Sequence, residues 1–271
     1  MGMVVRTNIM GINANRQLGM NNNQVSKSLE KLSSGYRINR AADDAAGLSI
    51  SEGMRKQIRG LTQASRNAQD GISFAQTAEG ALAEVQDMLQ RVNELAVQSA
   101  NGINSDTQRG YLNEEVTALT TEMERIFSAT KFNGQDAFGG SAAMDVFVAE
   151  ENGSTATISI DTSDMKASAL GSFDISSASG AKTAIGDVAD AIETVSGWRS
   201  SLGAAQNRLE HTINNLDNVV ENTTASESRV RDTDMATEMV KYSNANILAQ
   251  AGQAMLAQSN QANQGVLSLL Q

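Results

Sequence analysis

Residues 54–96 read MRKQIRGLTQASRNAQDGISFAQTAEGALAEVQDMLQRVNELA. In steps of four and three, apolar or small side chains recur at Met54, Ile58, Leu61, Ser65, Ala68, Ile72, Ala75, Ala78, Leu82, Val85, Leu89, Val92 and Ala96. Two consecutive three-steps, around Ala75 and Ala78, are the single departure from strict alternation. A seam of about six heptads gathers these side chains on one face only if the segment is one long α-helix. At about 1.5 Å per residue that helix is roughly 60 Å long, more than the width of a compact domain of this size. Such a helix cannot bury its stripe on itself, so the rest of the chain must supply partners.

Outward from this segment, the natural partner is the seam Ile185, Val188, Ile192, Val195, Arg199, Leu202, Gln206, Leu209, Ile213, Leu216, Val220. It has nearly the same length. The first long helix should end at Asn101-Gly102, where Asn and Gly suit a C-cap. Ser105-Asp106 then caps a third helix with the seam Leu112, Val116, Leu119, Met123, Ile126. Loop chemistry returns at Asn133-Gly134 and Gly139-Gly140. Val146–Val148 and Thr157–Ile160 flank Asn152-Gly153 and read as a β-hairpin. Residues 161–182, rich in Ser, Ala, Gly and Asp, read as loop.

The two ends are weaker copies of the same pattern. Residues 3–34 carry Leu18, Asn22, Val25, Leu29 and Leu32, and the last segment carries Leu248, Ala251, Met255, Ala262, Val266 and Leu269. A charged, small-residue joint, Asn39–Gly47, separates the first end from the long helix, with Asp43 and Asp44 placed to cap it. Glu227–Asp234 forms the matching joint on the other side. The chain is therefore nearly palindromic, with both termini side by side at one end of an antiparallel bundle. The terminal seams hold few bulky residues, so each helix should expose an apolar face. Either further copies of the chain cover those faces, or the molecule is a monomeric bundle with frayed ends.

Composition narrows the class. The 271 residues include no Pro and no Cys, with six Phe, three Tyr and one Trp. About a dozen prolines would be usual, and their absence suits long helices, whose interiors proline disrupts at about 3 kcal/mol. No disulfide, thiolate metal site or cysteine nucleophile is open to this chain. A formal charge of −10 argues against nucleic acid or an anionic membrane as the main partner. No apolar run approaches membrane-spanning length, and the N-terminus shows no signal-peptide core. Met1-Gly2 begins like a myristoylation motif, but Arg6 stands where Ser or Thr is needed.

No chemistry-bearing constellation emerges. His211 is the only histidine and lacks companion ligands, so it reads as a surface residue. Asp43-Asp44 and Glu114-Glu115 are sequence neighbours and so do not face each other on a helix. No enzyme, cofactor or metal is expected. Arg91 and Leu95, four apart and off the Leu89–Val92–Ala96 seam, read as exposed, either a binding hot spot or scattered surface.

Several stretches together closely resemble bacterial flagellin in a short form: Leu32–Asn39, Ala41–Leu48, Leu89–Gln98, Lys131–Gly134, Ser228–Asp234, Ile247–Gly252 and Val266–Leu270. Two departures are Gln261–Gln264, where many members carry a proline, and Ala118-Leu119-Thr120, where some carry a basic residue. The resemblance implies a mainly α fold: a long antiparallel helical coiled-coil rod, a small β-hairpin region and paired N- and C-terminal helices. It implies an inner domain of residues 1–44 and 232–271 and an outer rod domain of residues 45–231, with a variable region near 140–180. It implies export as an unfolded chain through the flagellar type III channel and polymerisation into the extracellular filament. Other copies, an export chaperone, and cap and junction proteins would be partners; nucleic acid and membrane would not. Assembly would use Leu18, Val25, Leu29, Leu32, Leu248, Met255, Val266 and Leu269. The innate receptor Toll-like receptor 5 would engage Gln90, Arg91, Glu94, Leu95, Gln98 and Glu115. A hook–filament junction protein, which shares the terminal architecture, is the alternative.

Overall fold

A computed structural model describes residues 7–139, 144–150 and 156–268, with 263–268 as backbone alone. The elements follow the order α1 (Ile9–Ser34), α2 (Ala45–Ala100), α3 (Asp106–Ala129), β1 (Lys131–Phe132), β2 (Gln135–Asp136), β3 (Met144–Phe147), β4 (Thr157–Ile160), α4 (Ala178–Arg231) and α5 (Met235–Ser268). The protein is mainly α, as the seams require. Its chain divides into two compact units, Gln57–Asn222, and Met1–Lys56 with Thr223–Gln271.

In the unit Gln57–Asn222 the heptads meet as expected. Val188, Val195, Leu202 and Leu209, seven apart on α4, share one buried cluster with Leu82, Val85, Leu89 and Val92 of α2. Leu216 closes the cluster's neighbour with Leu61 and Ala64. Arg199, at a seam position, is half-buried and donates to Gln86 Oε1 (2.7 Å) and Glu79 Oε1 (3.3 Å) across the helix pair. A third wall comes from α3, whose Val116, Met123 and Phe127 join the same core. The Phe127 ring stands edge-on to Trp198 of α4 at 6.2 Å and to Phe138 at 5.1 Å.

Local chemistry sets the corners. Helix α2 ends at Ala100, and Arg109 of α3 serves its C-terminus, donating from Nε to Ser99 O (3.0 Å) and from Nη2 to Asn101 O (3.0 Å). A buried guanidinium beside those carbonyls meets the negative end of the helix dipole. Ser105 and Gln108 form a capping box at the start of α3. Asn133 and Gly134, both at positive φ, make a two-residue turn joining β1 to β2. That small hairpin was legible only as loop chemistry.

The expected larger hairpin is present, with Val146 opposite Ile158 and Phe147 opposite Thr157. Val148 N–H bonds Ala156 O at 2.8 Å, so the connection is longer than an Asn-Gly turn. Asn152-Gly153 itself lies outside the described residues. Strand β3 sits close on α2: a Cβ on Gly71 would lie 2.8 Å from Val146 Cγ2 and 3.2 Å from Leu209 Cδ1.

Residues 161–182 differ from the expected loop. A 3-10 turn spans Ala167–Leu170, α4 starts at Ala178, and Thr162, Met165, Leu170, Phe173 and Ile175 are buried. Ser99 Oγ donates to Ile175 O (2.7 Å), tying the segment to α2. Four isolated apolar residues among Ser, Ala and Asp show no period, because the stretch packs as irregular chain rather than as an element.

Candidate functional site

Helices α1 and α5 pair antiparallel within their own unit. Ser259 Oγ donates to Asn8 Oδ1 (3.2 Å) near one end, and Ser28 Oγ donates to Glu238 Oε1 (2.7 Å) near the other. Their buried contacts are few and small: Gly11 and Ser28 on α1, Glu238, Ala245 and Ala249 on α5. Gly252 faces Leu18, whose Cδ1 would lie 3.5 Å from a Cβ at that position. Helix pairs held by so little apolar area are marginal. Amide exchange in residues 9–34 and 235–262 of the free chain is therefore expected to be orders of magnitude faster than within 74–96. Uniform protection would show that the terminal pair is as stable as the larger core.

The inward faces differ from the expected seams by about one residue. Leu18, Val25 and Leu32 are half-buried as expected, but Asn22, Leu29, Leu248, Ala251 and Met255 are exposed. In their place Asn21, Ser28, Ala245, Ala249 and Gly252 take the inward positions. Small residues let the two backbones approach, so the bulkier side chains on the adjacent stripe stay outside. The Val266 side chain and Leu269 lie outside the described residues.

The outward faces carry large apolar side chains among exposed Asn, Gln and Ser. Ile9, Met10, Ile12, Met20 and Leu29 are exposed on α1, and Met235, Met239, Val240, Ile247, Leu248 and Met255 on α5. So many large apolar side chains on two neighbouring helices mark an interaction surface.

Glu238 is the buried charge of the pair. Burial pushes its carboxyl up, but the bonds from Ser28 and Lys241 and the nearby Lys241 and Lys31 charges outweigh that and hold it below the usual glutamate range. A carboxyl with a lowered folded pKa stabilises fully above its ordinary range and loses that contribution as pH falls through the lowered value. Terminal-pair helicity is thus expected to fall on acidification below about pH 4, with a weaker acid dependence in Glu238→Gln. Ser28→Ala should cost about 1–3 kcal/mol by leaving a buried carboxylate oxygen short of a donor. Circular dichroism against pH reads both.

Two of the sequence motifs meet at the joint of this unit. Tyr36 bridges Asp232, Arg37 N–H bonds Arg231 O (2.6 Å), and Thr233 N–H bonds Gly35 O (2.9 Å). Arg231 lies 4.7 Å from the centroid of the Tyr36 ring and donates to Glu52 Oε1 (2.8 Å) and Ser51 Oγ (3.2 Å). The guanidinium of Arg231 holds the Glu52 carboxyl below its usual range. Asp44 caps α2 by accepting from Gly47 N–H (2.9 Å), as expected, whereas Asp43 accepts from Asn39 and Arg40 N–H and closes the turn before it. Asp234 caps α5 through Ala236 and Thr237 N–H.

In the other unit, Gln90, Arg91, Glu94, Gln98 and Glu115 form an exposed patch on α2 and α3. Arg91 donates to Glu115 Oε1 from Nε (3.0 Å) and Nη2 (2.9 Å), and from Nη1 to Glu94 Oε2 (3.0 Å). These bonds raise the pKa of its guanidinium, those to Glu115 most. Leu95 does not belong to this surface. It is 1 % exposed and sits in the core with Val92 and Val116. The expectation that it lies outside the seam's face assumed one partner for α2; α3 adds a second buried side, so the apolar stripe is wider than a two-helix seam.

His211 is exposed, and no group of three metal-ligating side chains occurs among the described residues. Among them, no helix is long and apolar enough to cross a membrane.

Family comparison decides what kind of protein carries these surfaces. The model of the bacterial flagellin N-terminal helical region matches residues 5–143, and that of the C-terminal helical region matches residues 185–270. The chain belongs to the bacterial flagellin family. It is 52 % identical to a flagellin of Halalkalibacterium halodurans, over 99 % of this chain and 100 % of that one. It is 46 % identical to a Bacillus subtilis flagellin and 48 % identical to the flagellar filament 33 kDa core protein of Treponema phagedenis, at the same coverage. Among solved structures, Bacillus cereus flagellin matches with a TM-score of 0.50 and 28 % identity, covering 56 % of this chain and 88 % of that one. As a flagellin-family member it is a structural protein of the flagellar filament rather than an enzyme. The small-residue pairing of α1 and α5 and the buried place of Leu95 are the features that sequence reading missed. A heptad register through Ala245, Ala249 and Gly252 was the available signal, masked by bulkier neighbours.

Proposed function

We propose that this flagellin-family chain polymerises through the outward faces of α1 and α5, which become buried between copies as the inner tube of the filament. The observation that carries this is the number of exposed large apolar side chains on two helices whose fully buried contacts are mostly small residues. Leu29, Leu248 and Met255 serve as inter-copy contacts, while Leu18, Val25 and Leu32 support them from inside the pair. Residues 1–44 with 232–271 form the inner domain and 45–231 the outer one, a division supported by the helix breaks between α1 and α2 and between α4 and α5, although the compact units part further along α2 and α4, at Lys56/Gln57 and Asn222/Thr223. Export unfolded through the flagellar type III channel, with a chaperone before assembly and cap and junction proteins at the tip, completes the role at an extracellular site. Electron microscopy of purified protein seeded with filament fragments in salt should show long tubes. Persistent monomers under those conditions would refute the assembly role.

The Arg91 patch is proposed as the surface read by Toll-like receptor 5, through Gln90, Arg91, Glu94, Gln98 and Glu115. Support comes from its exposure and from the fixed Arg91–Glu115 pair, which presents a preorganised guanidinium. Leu95 enters only by holding α2 and α3 in register. Arg91→Ala is expected to weaken monomer binding to the receptor ectodomain by about 1–2 kcal/mol or more with helicity intact. An unchanged dissociation constant in a direct titration would return the patch to ordinary surface.

A further inference from the structure

Methionine is distributed unevenly over the two units. Met10, Met20, Met235, Met239 and Met255, all on α1 or α5, are 47–77 % exposed, whereas Met123 and Met165 in the other unit are each 2 % exposed. A thioether in that position is open to oxidants, and its sulfoxide is polar where the parent side chain is apolar. We infer that these five methionines form a two-electron oxidation site for peroxide-class oxidants, and that oxidation there disables the free chain for polymerisation. This rests on the proposed assembly role of the α1 and α5 faces.

The chemistry is balanced within the pair of reactants. A sulfur lone pair attacks one peroxide oxygen, an S–O bond forms and the O–O bond breaks. Sulfur loses two electrons, and the departing hydroxide takes the proton from the oxygen now bound to sulfur, leaving as water and a neutral sulfoxide. Each sulfoxide then presents a strong hydrogen-bond acceptor on helices that also expose Ile12, Ile247 and Leu248. Burying that acceptor against another apolar face without a donor is unfavourable. Polymerised chains would hold the same thioethers out of solvent, so the site is open before assembly and closed after it.

The test treats free chain and seeded polymer separately with hydrogen peroxide and locates sulfoxides by peptide mass spectrometry. In the free chain the five methionines should oxidise at least about tenfold faster than Met123 and Met165, following exposure. Sulfoxide-bearing chains should fail to extend seeds, and treatment with methionine sulfoxide reductases should restore extension without any substitution. Extension of oxidised chains at the untreated rate, while the polymer still protects the five positions, would overturn this inference and leave the assembly role standing. Equal oxidation of the five positions in free chain and polymer would instead overturn the assignment of those faces to assembly.

Discussion

A chain ending at Arg231 is expected to stay soluble and strongly helical but to form no filament under seeding. The deletion removes α5 and with it Glu238, Ala245 and Ala249, the buried side of the α1 seam, together with the exposed Met239, Ile247, Leu248 and Met255. A lone amphipathic helix such as α1, rich in Asn and Ser, has little stability in water. The larger cluster, from Ala68 to Leu209, draws every buried member from the unit Gln57–Asn222, so its folding does not need the lost segment. Circular dichroism should retain the α2–α4 signal, and electron microscopy should show no tubes. Tubes of ordinary length from the shortened chain would show that α5 is not an assembly element.

Leu95→Ala should destabilise the unit Gln57–Asn222 by about 2–5 kcal/mol, the usual range for emptying a fully buried leucine site. Leu95 is 1 % exposed and shares its cluster with Leu89, Val92 and Val116, so the removed atoms leave a cavity in that core. Gln98→Ala, one turn further along α2 on an exposed site, should change stability by less than about 0.5 kcal/mol. Urea unfolding followed by circular dichroism compares the two, with chevron or exchange data reserved for cases where the m-value shifts. A loss below about 1 kcal/mol at Leu95 would return it to the surface. The substitution also separates two kinds of effect on receptor binding: Arg91→Ala removes a contact, whereas Leu95→Ala loosens the frame that holds Arg91 against Glu115.

Long-range periodicity was the legible part of this protein. The seams from Met54 to Ala96 and from Ile185 to Val220, the helix end at Asn101-Gly102, the Ser105 cap and the Asp44 cap all follow from residue types at fixed spacing. Each depends on contacts within one turn, or on a repeat sustained over many turns, and such signals need no knowledge of the neighbour. The family motifs at Leu32–Asn39 and Ser228–Asp234 were also readable, though not that they meet through Tyr36, Arg231 and Glu52. Only the tertiary structure decided which of two adjacent stripes faces inward on α1 and α5. Hydrophobicity ranks Leu248 and Met255 above Ala245 and Gly252, but close helix packing prefers the smaller pair and turns the larger outward. The same holds for Leu95. A heptad read as a two-helix seam leaves it outside, and the arrival of α3 on a second side of α2 buries it. Burial is a property of how many partners a helix has, and a sequence states that number only through the elements that come to pack against it.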